Sequence, residues 1–356
     1  MKGDYTLIVP ALDRTGPVSV AVDIGMAARN AGWQVRLLYL TSVDSRDDLG
    51  FAHEVRQFRC ADLWRLRGVV HTHCLRPDLL GLLLTWNRQV TLVTTLHNFF
   101  LFDVGFDKPR LYVQAAWQVW RRALRGFDQV ICISEAMRRY YHRSLPGQPL
   151  QVAYNFRAEP QTIPADPATL AWIERRRSSG NTVLSFVGSL SKRKNILGLV
   201  AALADAPLLS LIVCGQGPVR EELQDVVQSR GLQDRVRLQG QVLSPSSITR
   251  HTDALVLPSH AEGFPLAVLE AASVGVPALM SNITVHRELA GLGFGQTFDH
   301  RCFSDLAQKA QALRLSTPAP SAALISLWSN DFTPQAGFAR YEKLISEARR
   351  ATLSCD

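Results

Sequence analysis

The segment His260-Ala261-Glu262-Gly263-Phe264-Pro265-Leu266-Ala267-Val268-Leu269-Glu270-Ala271 holds two carboxylates with seven residues between them. It follows the apolar run Ala254 to Leu257, so it reads as strand, turn and helix. Gly263 permits a tight turn, and Pro265 suits the first helical position. The backbone N–H groups of that helix start are a natural seat for phosphate or sugar hydroxyls. Glu270 lies within Leu266 to Val276, otherwise apolar or small, on a helix expected to be buried. A buried carboxylate is costly unless something hydrogen-bonds it. Paired hydroxyls, as on a ribose, would do so; an exposed helix edge or a cap on a neighbouring loop is the alternative.

Other candidates are more scattered. His71-Thr72-His73 closes a strand and is expected to face a second substrate. His71, His73 and Cys74 have a spacing that fits no recurrent zinc pattern, and no Asp-x-Asp metal site stands out. Lys192-Arg193-Lys194 is a short basic run, which could equally be a solvated loop.

These residues need a scaffold, and the rest of the chain predicts one. The length of 356 residues suggests two domains. With 47% hydrophobic and 20% charged residues, the composition is ordinary for a globular protein. Short strands are expected at Thr6 to Val9, Trp33 to Leu40, Gly68 to His71, Val90 to Leu96, Gln129 to Ile133 and Gln151 to Tyr154, with helices between, beginning at about Val18 to Asn30. Proline and small polar residues between Arg157 and Gly180 mark a boundary. The alternation then restarts with strands at Val183 to Val187, Leu208 to Cys214, Val236 to Leu238, Ala254 to Leu257 and Pro277 to Met280. Helices are expected at Val219 to Ser229, Pro265 to Ser273 and about Pro334 to Arg350. The expectation is an α/β chain of two doubly wound, Rossmann-like domains facing across a cleft. Residues 1–160 form the first, 161–180 a linker, 181–330 the second, and 331–356 a final helix returning toward the first.

No apolar run is long enough to span a bilayer, and Met1-Lys2-Gly3-Asp4 leads into the first strand without a signal-peptide pattern. Cys60, Cys74, Cys132, Cys214, Cys302 and Cys355 are scattered without a CxxC pair. The expectation is a reduced, cytoplasmic protein, peripheral on the cytoplasmic face of a membrane.

The net charge of +8 suggests anionic partners. Between Lys108 and Arg143 eight basic and two acidic residues concentrate a net +6. The stretch Arg110 to Arg125 reads as an amphipathic basic helix with Trp117 and Trp120 as interfacial anchors to an anionic membrane surface; a solvated face packed on its own sheet is the alternative. No recognisable nucleic-acid module accompanies the patch.

The two glutamates, in this setting, resemble the E-x7-E motif of retaining glycosyltransferases with the GT-B fold, the family 4-like, group 1 enzymes. The resemblance extends through Val187-Gly188-Ser189-Leu190 to Lys194-Asn195, the turn Gly215-Gln216-Gly217-Pro218, Arg235 to Gly240, Asp253 to Pro258, Gly275-Val276-Pro277 and Glu288. It covers most of the chain and is more specific in the C-terminal half.

The resemblance implies the following roles. Glu270 binds the ribose of a nucleotide-sugar donor. Glu262, with Gly263, Phe264, Pro265 and Leu266, holds the donor sugar. Lys194, with Gly188, Ser189, Arg193 and Gly215, lies at the diphosphate, where a fixed cation stabilises the charge of the departing group. Gly16, after Thr15 and before Pro17, lets backbone approach the donor. His97, in Thr95-Leu96-His97, lies near the transferred sugar, and His73 and His97 face the acceptor. The family usually carries Arg where this chain has Ser189, so either Lys194 works with less help or Lys192 or Arg193 reaches the phosphate.

The implied function is transfer of a hexosyl or N-acetylhexosaminyl group from a nucleotide sugar to a saccharide or lipid-linked acceptor, with retention and without metal. UDP-sugars are favoured over GDP-sugars, no cofactor is needed, and cell-envelope polysaccharide or lipopolysaccharide assembly is the setting. An epimerase or phosphorylase on the same fold is the alternative; a basic nucleic-acid-binding module is a more distant one.

Overall fold

The computed structural model describes residues 2–13, 15–41, 49–106, 108–161, 163–316 and 320–354; Cys355 lies outside them. The chain divides into two compact units, residues 1–158 with 331–356, and residues 159–330.

Unit 1 carries a seven-stranded parallel sheet in the order β3-β2-β1-β4-β5-β6-β7. Its strands are β1 (Asp4–Ala11), β2 (Gln34–Thr41), β3 (Glu54–Gln57), β4 (Gly68–His73), β5 (Val90–Leu96), β6 (Gln129–Cys132) and β7 (Leu150–Val152). Strands β1, β4 and β5 are buried through most of their length, as a sheet covered on both faces requires. Helix α1 (Gly16–Asn30) follows β1, α2 (Leu75–Leu84) follows β4, and α3 (Arg110–Leu124) precedes β6.

The β4–β5 register pairs His71 with Val93, Thr72 with Thr94 and His73 with Thr95. Because side chains alternate along a strand, Thr72 and Thr94 share one face and His71, His73 and Thr95 the other. On the first face the Thr72 and Thr94 hydroxyls donate to Asp78 Oδ1 at 2.5 and 2.8 Å, and Trp120 Nε1 donates to its Oδ2 at 2.8 Å. This network ties α2 and α3 to the sheet. Burial pushes the Asp78 carboxyl up to about 7 against the pull of those three donors.

The amphipathic reading of α3 holds, but its faces differ from expectation. Trp117 and Trp120 are 5% and 2% exposed, packed against Phe100 and Tyr141, so they anchor the helix inward and are unavailable to a membrane. The inward stripe is Val113, Trp117, Trp120 and Leu124, spaced by helical turns.

Unit 2 carries a six-stranded parallel sheet in the order β10-β9-β8-β11-β12-β13. Its strands are β8 (Thr182–Val187), β9 (Leu209–Cys214), β10 (Val236–Gly240), β11 (Ala254–Leu257), β12 (Ala278–Ser281) and β13 (Gly295–Phe298). The expected linker 161–180 is a misreading. It contains α4 (Pro167–Ser178), whose Trp172 and Ile173 pack with Val183, Ile212 and Ile248. Asp166-Pro167 is a helix start rather than a break: the Asp166 carboxylate accepts the Thr169 N–H at 3.1 Å and proline takes the first turn. Helix α5 (Leu266–Ser273) follows β11.

The last helix, α6 (Pro334–Ser354), belongs to unit 1. Its Tyr341 is fully buried and donates to the Ala153 carbonyl at 3.3 Å, and Glu342 receives Lys2 Nζ at 2.5 Å and Trp33 Nε1 at 2.8 Å. Among the described residues no helix is long and apolar enough to cross a membrane.

Candidate active site

The C-terminal ends of β8, β9, β11 and β12 carry the loops that hold unit 2's polar groups. Ligands of open parallel sheets bind at such ends. The loop after β8 is short, basic and tied down. Asn195 takes a left-handed conformation at φ 53° and its Nδ2 donates to the Pro258 carbonyl at 3.2 Å. The His260 N–H in turn donates to the Arg193 carbonyl at 2.9 Å. These bonds lash the loop after β8 to the loop after β11.

That lashing brings Lys194, Arg193 and Glu262 together. Lys194 Nζ donates to Glu262 Oε1 at 2.5 Å, and the two side chains are 13% and 6% exposed. Ser259 Oγ donates to the same oxygen at 2.7 Å. Arg193 donates to the Ala261 carbonyl at 2.6 Å and lies 3.4 Å from Glu262 Oε2. Burial alone would raise the Glu262 pKa, but Lys194 and then Arg193 outweigh it and hold the carboxyl at about 2. Glu262 is therefore an anion in a nearly dry setting, satisfied by neighbouring cations.

Gly188 and Gly215 allow a close backbone approach at the same edge. A Cβ on Gly215 would stand 1.9 Å from the Gly188 carbonyl oxygen, which no side chain permits. Lys194 Nζ lies near Gly188 on its open side. Gly263, Phe264 and Pro265 are buried beside Glu262, and Pro265 caps α5 with φ −73° rather than opening its first turn. Ser189 and Lys192 are exposed. Arg193 is engaged with Ala261 and Glu262, so of the two stand-ins considered for the family arginine only Lys192 extends into solvent.

Glu270 corrects an expectation. It is half-buried, not enclosed. Helix α5 buries Val268, Leu269, Ala271 and Ala272, which leaves Leu266, Glu270 and Ser273, one turn apart, on a partly open stripe. The enclosed carboxylate of the pair is Glu262.

Sequence reasoning missed the residues behind Glu262. Ser281 Oγ donates to the Ser259 carbonyl at 2.6 Å and lies 2.9 Å from His286 Nδ1. His286 is fully buried; burial lowers its pKa to about 4, while the Glu262 charge opposes the shift. Nothing in Thr284-Val285-His286-Arg287 announces this, since the contact is made across the sheet edge.

Unit 1 holds a separate cluster of imidazoles. His73 Nδ1 is 2.8 Å from His97 Nε2, and the rings stack at 5.1 Å. His71 Nδ1 is 2.8 Å from the Tyr5 hydroxyl, and its Nε2 is 2.8 Å from Thr95 Oγ1. His73 is fully buried, which corrects its expected acceptor contact: it can only brace His97 from behind. His97, at the end of β5, is half-buried and keeps part of its ring open. Burial lowers the pKa of all three rings, so at neutral pH each is a neutral donor–acceptor rather than a cation. Gly16 opens α1, and a Cβ there would meet only open space. Burial pushes the Cys74 thiol up to about 12, and among the described residues no three His, Cys, Asp or Glu side chains are grouped to hold a metal.

The comparisons with known proteins agree across both halves. The family Glycosyltransferase Family 4 matches residues 15–157, and the family Glycosyl transferases group 1 matches residues 172–314. The O-antigen biosynthesis glycosyltransferase WclY of Escherichia coli is 24% identical over 294 residues, 80% of either chain. Sucrose-phosphate synthase of Thermosynechococcus elongatus shares the fold at a TM-score of 0.78 and 16% identity, over 98% of this chain and 100% of that one. Anabaena Alr3699/HepE, solved in complex with UDP-glucose, does so at 0.76 and 17%, over 96% and 99%. The chain belongs to the group 1 glycosyltransferases and has the GT-B fold.

Proposed function

We propose that the chain transfers a hexosyl or N-acetylhexosaminyl group from a UDP-sugar to a hydroxyl of a saccharide or lipid-linked acceptor, with retention, in cell-envelope polysaccharide or lipopolysaccharide assembly. The observation that carries this reading is the buried Lys194–Glu262 pair beside the start of α5. Unit 2 binds the donor and unit 1 the acceptor. The UDP-glucose found in the HepE structure and the O-antigen role in the name of WclY favour the donor and the setting.

In this reading the donor's diphosphate takes Lys194 over from Glu262. The bond from the sugar's anomeric carbon to the phosphate oxygen breaks, and Lys194 neutralises the charge that gathers on the leaving group. The acceptor oxygen bonds to that carbon on the face the diphosphate leaves, and its proton passes to a phosphate oxygen. No metal or cofactor enters. Glu262, released from Lys194, accepts hydrogen bonds from the sugar, and Gly263, Phe264, Pro265 and Leu266 line it. Glu270 takes the ribose hydroxyls, its half-open position leaving it reachable. Gly16, Gly188, Ser189, Arg193 and Gly215 border the donor, and neutral His97, braced by His73, hydrogen-bonds the sugar or the acceptor. The enzyme works in the cytoplasm.

A thermal-shift screen of UDP, GDP, ADP and their sugars tests the reading, because a ligand that binds only the folded chain raises its stability, by about 2.7 kcal/mol at a hundred times Kd. UDP and a UDP-sugar are expected to raise Tm, and Lys194→Ala and Glu270→Ala to lose most of the shift. No shift with any nucleotide, together with no donor hydrolysis or transfer, overturns it.

A further inference from the structure

We propose that one face of unit 1, built around the outer side of α3, docks on an anionic lipid bilayer. Scattered exposed apolar residues are normal on soluble proteins. Here they are concentrated: among the described residues, nine of the seventeen large exposed hydrophobic side chains fall between positions 82 and 119. Trp86 is 90% exposed, Leu111 82%, Leu83 56%, and Phe102 and Tyr112 55% each. None of these is a residue the sequence marked as an anchor. Because Val113, Trp117, Trp120 and Leu124 turn inward, Leu111 and its neighbours two and three turns on, Gln118 and Arg122, are left outward.

Two grooves border α3, and each sets exposed apolar side chains beside cations. A groove of about 530 Å³ is lined by Leu101, Phe102 and Phe106 together with Lys108 and Arg110. A second, of about 370 Å³, is lined by Leu82 and Val119 with Arg121, Arg122 and Arg125. Apolar side chains interleaved with cations match the boundary between acyl chains and charged headgroups.

The charge pattern selects the occupant. From Lys108 to Gly126 the sequence has five basic and no acidic residues. Among the described residues none of the five makes an ion pair. Among the described residues the nearby carboxylates are turned inward: Asp78 and Asp103 are buried, and Asp128 accepts the Leu92 N–H at 2.7 Å; Asp107, next to Lys108, lies outside the described residues. Among the described residues the face is therefore positive without internal neutralisation, and a second copy of the same face would repel it. A nucleic-acid strand would stack on aromatic rings but has no use for the aliphatic Leu82, Leu83 and Leu111. An anionic bilayer uses both the cations and the leucines. The inference is independent of the proposed sugar transfer.

The test is sedimentation of the purified chain with phosphatidylcholine vesicles with or without phosphatidylglycerol, at low and high salt. Binding is expected only with phosphatidylglycerol and is expected to weaken in high salt. The pair Arg121→Glu with Arg122→Glu should cut the vesicle partition coefficient by about tenfold or more, since each basic residue near such a surface contributes roughly a fivefold attraction. The pair Phe102→Ser with Leu111→Ser should cut it by about tenfold as well, with thermal unfolding unchanged because both side chains are mostly in solvent. Failure of the wild type to sediment at low salt overturns the proposal, as does unchanged binding by either variant. Preferential binding to a single-stranded oligonucleotide, or a dimer that the serine variant dissociates, assigns the face to another occupant and equally overturns it.

Discussion

Lys194 Nζ stands 2.5 Å from Glu262 Oε1, and each side chain is almost withdrawn from water. A charge pair so placed is weak evidence for stability, because desolvation offsets much of the attraction, but breaking it strands one charge. Ser259 and Arg193 remain around Glu262 when Lys194 is removed. Lys194→Ala is therefore expected to lower stability by about 2 kcal/mol, less than the ~3–5 kcal/mol seen for a fully stranded partner. Its effect on sugar transfer should be far larger, about 10²–10³ in kcat, if Lys194 meets the leaving diphosphate. Steady-state kinetics and urea unfolding of the same preparation separate the two. A variant that turns over normally despite reduced stability would assign Lys194 to structure alone.

Glu270 gives the opposite combination. It is half-buried on the open stripe of α5, so Glu270→Ala should change stability by less than about 1 kcal/mol. Losing a carboxylate that accepts two ribose hydroxyls should weaken nucleotide binding by about 1.5–3 kcal/mol, or roughly tenfold to a hundredfold. Titration calorimetry with UDP checks this. Unchanged UDP affinity would remove Glu270 from the nucleotide site.

The strand–turn–helix around Glu262 was legible in the sequence because its signals are local: an apolar run, a glycine, then a proline at a helix start. The order of the other strands followed from the same alternation. The short strands β3 and β13 carried no such signal, since Glu54–Gln57 and Gly295–Phe298 sit at sheet edges and are only partly buried. Burial was the property least readable from composition. Glu270 looked enclosed because its neighbours are apolar, yet helical phase puts it outward. Trp117 and Trp120 looked like anchors because they neighbour arginines, yet the same phase, and the Trp120 bond to Asp78, put them inside. Contacts between distant segments, such as Ser281 and His286 behind Ser259, left no trace in sequence spacing.

The buried imidazoles predict an acid-labile unit 1. Burial and then the neighbouring His97 bring the fully buried His71 from an ordinary 6.5 down to about 3. The folded state thus refuses a proton that the unfolded chain accepts. The associated stability is fully present above pH 6.5 and is lost as pH falls from 6.5 toward 3, on the order of 5 kcal/mol in all. Asp78 acts in the reverse direction: raised to about 7, its carboxyl favours folding at low pH and that share is lost as pH rises from about 4 to 7. His71→Gln keeps a donor and an acceptor for Tyr5 and Thr95. It should cost about 1–2 kcal/mol at pH 8 and flatten the fall between pH 6.5 and 4 that urea midpoints of the parent chain are expected to show. Parallel pH profiles for the two proteins would contradict the burial assigned to His71.

The return of α6 to unit 1 depends on one glycine. A Cβ at Gly337 would stand 2.2 Å from Phe156 Cδ1 and 2.4 Å from its Cβ, so the helix and the end of unit 1's main segment touch backbone to ring. Phe156 is itself 2% exposed and packs edge-on to Tyr341 at 6.0 Å, leaving it little room to move. Gly337→Ala gains about 1 kcal/mol of helix propensity but forces an overpacking strain of about 1–3 kcal/mol or more. The net expectation is a loss of about 1–2 kcal/mol and a Tm lower by roughly 2–8 °C for a unit of this size. Phe156→Gly removes both the ring and the Cβ and should relieve the strain, so the double variant should be more stable than the two single losses summed. Additive losses in that double-mutant cycle would show that Gly337 and Phe156 do not touch.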